Sequence, residues 1–132
     1  MSLWEEHDLS RKVLDVLRAV PTNTASHHFG RPYISSYQLA IGLQQLFPET
    51  VSTIGKPVGG ARVGQHNSLA QYLAGELSRQ IRRQGTQHPV EGAFMGNQDI
   101  EELRYRDADG EPITSSLTDS GFDLSLFRLR AQ

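Results

Sequence analysis

Two runs of leucine at helical spacing, each introduced by a serine that stands three residues ahead of a glutamine, constrain this chain more than any other feature. Ser35 precedes Gln38, and Leu39, Leu43, Leu46 and Phe47 follow as one apolar stripe until Pro48. Ser68 precedes Gln71, and Leu69, Leu73, Leu77 and Ile81 recur every four residues, with Ala70 and Ala74 beside them, until Gly85. A serine whose hydroxyl accepts the amide of the third helical residue, answered by a glutamine side chain, starts a helix; proline and glycine stop one. Helices are therefore expected over about residues 36–47 and 68–84. The leucines at 39, 43, 69, 73 and 77 are the expected centre of one core, with Trp4 partly covering it. An earlier amphipathic stretch, with Leu9, Val13, Val16, Leu17 and Val20 on one face, predicts a first helix over about residues 3–19, capped by Ser2 and Glu5 and stopped by Pro21.

Beyond Pro89 the apolar period changes from helical to two. Val90 to Met95 reads as one strand. Leu103 and Tyr105 alternate with Arg104 and Arg106, the turn-forming run Asp107 to Glu111 follows, and Ile113 begins a return strand, which together predict a hairpin. Phe122, Leu124 and Leu126 share one phase and Phe127 and Leu129 the other, so the last strand either carries a bulge or is buried on both faces. The short apolar segment Phe29 to Ile34 is expected to add an edge strand. The 132 residues are thus read as one α+β domain, three helices followed by a strand-rich region over about 90–130 with a small antiparallel sheet.

Composition narrows the chemistry. No cysteine is present, which excludes disulfides, thiol catalysis and thiolate metal sites and suits a reducing, cytoplasmic setting. No apolar run approaches a membrane span. The formal net charge is −2, unevenly spread: residues 31–86 hold six basic and two acidic side chains, residues 87–132 nine acidic and four basic. A basic middle beside an acidic tail marks residues 31–86 as the part of the chain suited to an anionic partner.

The order of elements, three helices and then a β-hairpin, resembles the winged helix-turn-helix layout. That resemblance covers roughly residues 3–116 and implies that the third helix is the recognition helix and the hairpin the wing. The face of this helix opposite its leucines carries Ser68, Gln71, Gly75, Ser78, Arg79 and Arg82, and no acid. The resemblance implies nucleic-acid contacts by Gln71, Arg79, Arg82 and Arg83, with Lys56 and Arg62 alongside. Two departures stand against it. About twenty residues, Glu49 to Asn67, replace the short turn between the second and third helices, and the tip of the hairpin is acidic, with Asp107, Asp109 and Glu111.

That long connection holds Gly55, Gly59, Gly60 and Gly64 and leads into a helix N-terminus. Free backbone amides, a helix dipole, Lys56 and Arg62 would suit a phosphate, so a ligand-binding or enzymatic alternative places its site at Gly59, Gly60, Gly64 and His66. The spacing fits neither a Walker loop nor a dinucleotide fingerprint. His27, His28, His66 and His88 lack any paired-ligand spacing, and Asp107-x-Asp109-Gly110 departs from a calcium loop at Thr118, so no metal or cofactor is expected. No nucleophile elbow, kinase set or nuclease pair appears, and the balance leans away from an enzyme. A third alternative is an interaction adaptor or homodimer that pairs through the edge of the sheet.

Overall fold

The computed structural model describes residues 1–22, 28–60, 68–115 and 123–131. Five helices precede most of the strands: α1 (Leu3–Glu6), α2 (Leu9–Arg18), α3 (Ser36–Leu46), α4 (Pro48–Ile54) and α5 (Leu69–Gln84), with the two-residue strand β1 (Ile34–Ser35) just ahead of α3. After α5 a single 3-10 turn (Gly85–Gln87) leads into β2 (Val90–Met95), then β3 (Arg104–Arg106), β4 (Pro112–Thr114) and β5 (Leu124–Leu129). The chain is α+β, and none of its described helices is long and apolar enough to cross a membrane.

The serine caps form as their spacing requires. Ser35 Oγ accepts the Gln38 amide at 3.2 Å and the Gln38 side chain accepts the Ser35 amide at 2.7 Å, a complete capping box. Ser68 Oγ accepts the Gln71 amide at 3.0 Å, and Gly85, at φ +55°, closes α5. Leu39, Leu43, Leu69, Leu73 and Leu77 are all buried in one cluster with Leu9, Val13, Leu17, Val90, Phe127 and Trp4. Trp4 is locked by two polar contacts: its amide donates to Tyr72 Oη at 3.0 Å and its indole N–H to Ser10 Oγ at 3.1 Å.

Several expectations are corrected. The first helix, expected over 3–19, is two helices broken at His7–Asp8, because Asp8 takes the left-handed conformation (φ +51°) that aspartate tolerates better than most residues. Pro48 does not open a long loop. It occupies the first turn of α4, where its missing N–H costs nothing, and Gly55 at φ +77° ends that helix. Phe47, Val51 and Ile54, spaced four and three apart, supply the apolar side of α4. Leu46, expected in the buried stripe of α3, is about half exposed, since the chain turns after it and Phe47 packs inward instead. The edge strand expected over Phe29–Ile34 shrinks to Ile34–Ser35, and Phe29 is exposed. Pro32 has no amide to donate there, and Arg128 NH1 instead holds the Phe29 and Arg31 carbonyls at 2.8 and 3.0 Å.

The sheet is antiparallel, in the order β1-β5-β2. β5 lies in the middle, with Phe127 opposite both Ile34 and Gly92, and its pairing with β2 runs unbroken from Val90↔Leu129 to Met95↔Leu124. A central strand has neighbours on both edges and core on both faces, which accounts for its two apolar phases without a bulge along β2. Phe122 lies outside the described residues. β3 and β4 form a separate hairpin, with Tyr105 opposite Ile113. The expected wing was this hairpin, yet the strand that follows α5 directly is β2, and it pairs with β5. The hairpin packs on α3, where Tyr105 stacks on Tyr37 with ring centroids 5.2 Å apart.

Candidate functional site

The outward side of α5 follows from its wheel. With Leu69, Leu73, Leu77 and Gln80 buried, residues 71, 75, 78 and 82 lie opposite the core, and residues 72, 76, 79 and 83 form one flank. Ser78, Arg79, Arg82 and Arg83 are exposed and Gln71 is half-buried. Although the Arg83 charge acts on Glu76, Arg82 and Arg83 make no ion pair among the described residues. Arg79 does: its NH2 donates to Glu76 Oε2 at 2.7 Å, and this bond holds the Glu76 carboxyl below its ordinary range. The face expected to be free of acid therefore has a glutamate at its border, one helical turn from Arg79, and part of the positive charge is cancelled there. Lys56 joins the same flank further back, its ammonium 6.0 Å from the centre of the Tyr72 ring.

The glycine-rich connection is built into the fold where it is described. The amides of the first three residues of α5 are all taken: Leu69 donates to the Pro57 carbonyl at 2.7 Å, Ala70 to the Val58 carbonyl at 2.9 Å, and Gln71 to Ser68 Oγ. A helix N-terminus binds an anion through those free amides, and here they are spent on the chain itself. Gly59 and Gly60 sit at φ +151° and +125° against Tyr37 and the β4 backbone, so that a side chain on Gly59 would meet the Tyr37 ring at 3.0 Å and one on Gly60 the Thr114 carbonyl at 3.3 Å. Their lack of a side chain serves close packing of the connection on α3 and the hairpin. Arg62, Gly64 and His66, named with them from sequence, lie outside the described residues.

No group of three or more His, Asp or Glu side chains comes together among the described residues. Asp107 instead shapes its own turn, its Oδ1 accepting the Asp109 and Glu111 amides at 2.9 and 2.8 Å. The Ala108 amide donates to Gln44 Oε1 at 2.9 Å, which holds the acidic tip on α3. His88 is buried and structural: its Nδ1 accepts the Val90 amide at 3.0 Å and its Nε2 meets Gln80 Oε1 at 3.0 Å. Burial keeps it below the usual imidazole range. His27 lies outside the described residues, and His28 stacks on Phe29.

Two features were not read from the sequence. A cleft of about 590 Å3 runs between α2 and α3, walled by Val16, Val20, Ile41 and Leu46 with Gln38 and Arg106 at its border. Arg128 on β5 and Arg130 just after it work as fasteners. Arg128 lies 4.3 Å from the centre of the Tyr33 ring and pairs with Glu91 at 3.2 Å, and Arg130 donates to the His88 carbonyl at 3.0 Å. Alternation of Leu129 with two arginines hinted at a strand with one polar side, but the partners lie too far away in sequence to be read from spacing. β2 forms an outer strand of its sheet and carries Phe94, which is exposed. No protein-family model, curated protein or solved structure matches this chain.

Proposed function

We propose that the protein is a nucleic-acid-binding module that uses the outer face of α5 in a winged-helix-like arrangement. The observation that carries this reading is the exposed pair Arg82 and Arg83 at the end of α5, neither of which has a carboxylate at ion-pair distance among the described residues, although Glu76 feels the Arg83 charge. Guanidinium groups free of internal partners are the ones able to take phosphate oxygens and to displace counterions. Tyr72, beside which Lys56 lies, is ten positions ahead of Arg82, so basic groups extend over about 15 Å of the helix, some four phosphate steps of one strand. Ser78 lies between them, and Gln71 one position before Tyr72, as neutral hydrogen-bonding groups. The β2–β5 pair that follows α5 takes the place of the wing, with the β3–β4 hairpin carried on its long connection. Because the acidic turn is held on α3 by Gln44, its charge is anchored to another element than α5.

The test is a titration of fluorescent duplex DNA followed by anisotropy at several salt concentrations. Arg82→Ala combined with Arg83→Ala is expected to weaken binding and to lower the slope of log affinity against log salt by about two, with melting temperature unchanged. Glu76→Gln is expected to act in the opposite direction by releasing Arg79. Binding no tighter than about millimolar at low salt, or a double variant with the wild-type slope, overturns the reading.

A second reading, a small-ligand-binding domain, rests on the cleft between α2 and α3. Its volume and its apolar walls with a few polar groups suit a small organic molecule. A rise in melting temperature with such a ligand, abolished by Leu46→Arg at the half-exposed wall of the cleft, would favour it over the nucleic-acid reading.

A further inference from the structure

Where α2, the 3-10 turn and β5 end, the arginines outnumber the carboxylates that answer them. Arg128 and Arg130 both turn to Glu91, at 3.2 and 3.8 Å. Arg11 and Arg18 share Asp15, at 3.3 and 3.0 Å, and Arg11 also takes Asp8 at 2.8 Å. Arg31 has no side-chain partner among the described residues; only its backbone carbonyl is engaged, by Arg128. Among the described residues, one carboxylate for the two guanidinium groups of Arg128 and Arg130, and none for Arg31, leaves this end with an excess of positive charge.

Three of these arginines face one space. Arg18, Arg31 and Arg130 line a cleft of about 450 Å3 together with Leu14, Thr86 and Leu129, and no Asp or Glu is among its described lining residues. Their roles differ. Arg130 is fixed by the His88, Gly85 and Val90 carbonyls at 3.0, 3.3 and 3.4 Å, so it contributes a rigid charge and few free donors. Arg18 places NH1 on Asp15 Oδ1 and has Nε and NH2 to offer. Arg31 brings its whole fork. Beside them Thr86 adds a hydroxyl, and Leu14 and Leu129 give an apolar wall.

We propose that this cleft binds the phosphate group of a small molecule. A phosphate near neutral pH carries close to two negative charges and three acceptor oxygens, which matches a fixed positive charge beside a free guanidinium fork. A cleft of this size lies within the range of small-ligand sites, and its leucines suit the organic part of a monoester. The site uses none of the residues assigned to nucleic acid and stands whether or not α5 binds DNA.

The experiment is calorimetric titration of the full chain with phenyl phosphate, inorganic phosphate and phenol. Phenyl phosphate is expected to bind saturably and phenol not at all. Arg31→Ala is expected to weaken the phosphate ligand about tenfold or more, and Arg31→Lys to recover part of the loss because it keeps the charge without the fork. The Arg31 side chain supports nothing else among the described residues, so both variants should keep the wild-type melting temperature. Arg82→Ala with Arg83→Ala should leave phenyl phosphate binding unchanged. Equal affinity for inorganic phosphate supports a site for the free ion, and weaker affinity supports a site for a monoester. No saturable binding of either phosphate up to about 10 mM, unchanged affinity in Arg31→Ala, or an equal loss in the Arg82/Arg83 variant overturns the proposal.

Discussion

His88 and Gln80 are joined inside the protein, ring Nε2 to side-chain oxygen at 3.0 Å, while the Val90 amide donates to the other ring nitrogen. Since Nδ1 must accept, Nε2 carries the proton and donates to Gln80, which defines a neutral tautomer. Gln80 in turn donates to Glu76 at 3.4 Å, and Glu76 accepts from Arg79. One line of bonds thus ties the start of β2 to the flank of α5.

Acid should weaken the fold through His88. Burial is the main cause that places its folded pKa below the unfolded value of about 6.5, and the nearby Arg130 charge acts in the same direction. The unfolded chain then binds more protons, so the His88 contribution is fully present above about pH 6.5 and is lost as pH falls below it toward the folded pKa. Urea unfolding at about pH 7.5 and 5.5 should show this loss, and His88→Gln should reduce the difference between the two. An equal difference in the variant would assign the acid sensitivity elsewhere.

Truncating the centre of the core should be costly. Leu73 is fully buried in α5 among side chains of the other helices. Leu73→Ala is expected to destabilise by about 2–5 kcal/mol, measured by chemical denaturation, with a value under about 0.5 kcal/mol showing that the site collapses without loss.

The two serine caps should differ in cost. Ser35 completes a capping box, with both its hydroxyl and its amide engaged by Gln38, and is almost fully buried, whereas Ser68 accepts the Gln71 amide. Ser68→Ala is expected to cost about 1 kcal/mol and Ser35→Ala close to 2 kcal/mol, the upper end for a cap. Thermal melts of both variants would settle the order.

Gly42 lies inside α3, where a helix ordinarily loses stability to glycine, and the reason is Val16. A side chain added at Gly42 would run into Val16 Cγ1 of α2. Gly42→Ala is therefore expected to destabilise by about 1–3 kcal/mol despite the better helix propensity of alanine. Adding Val16→Ala should recover part of that loss, and a double variant no better than the sum of the singles would place the strain elsewhere.

Much of the fold was legible because its signals are local. The caps at Ser35 and Ser68, the stops at Pro48 and Gly85, the buried leucines and the turn at Asp107–Gly110 each depend on residues within about four positions of one another, where side-chain and backbone geometry is set by the element itself. The break at Asp8 accompanies a tertiary anchoring of Trp4 that has no local signal. Its amide reaches Tyr72, 68 residues away, and the short helix turns with it. The small helix at Pro48 did have a local signal, in Phe47, Val51 and Ile54, that the glycines after it obscured.

The candidate surface was legible as a list of arginines, and the sequence by itself determined that α5 turns one polar face outward. Which charges on it remain unpaired was decided in three dimensions, where Glu76 pairs with Arg79 and no described carboxylate comes within ion-pair distance of Arg82 or Arg83. The amides at the start of α5 were likewise closed by carbonyls of Pro57 and Val58, and β5 became the central strand through contacts such as that of Arg128 with the Phe29 carbonyl, 99 residues apart. Helical and strand periods repeat every few residues and are written along the chain. Strand order and ion pairing depend on which distant segments the core brings together, and periodicity carries no record of that.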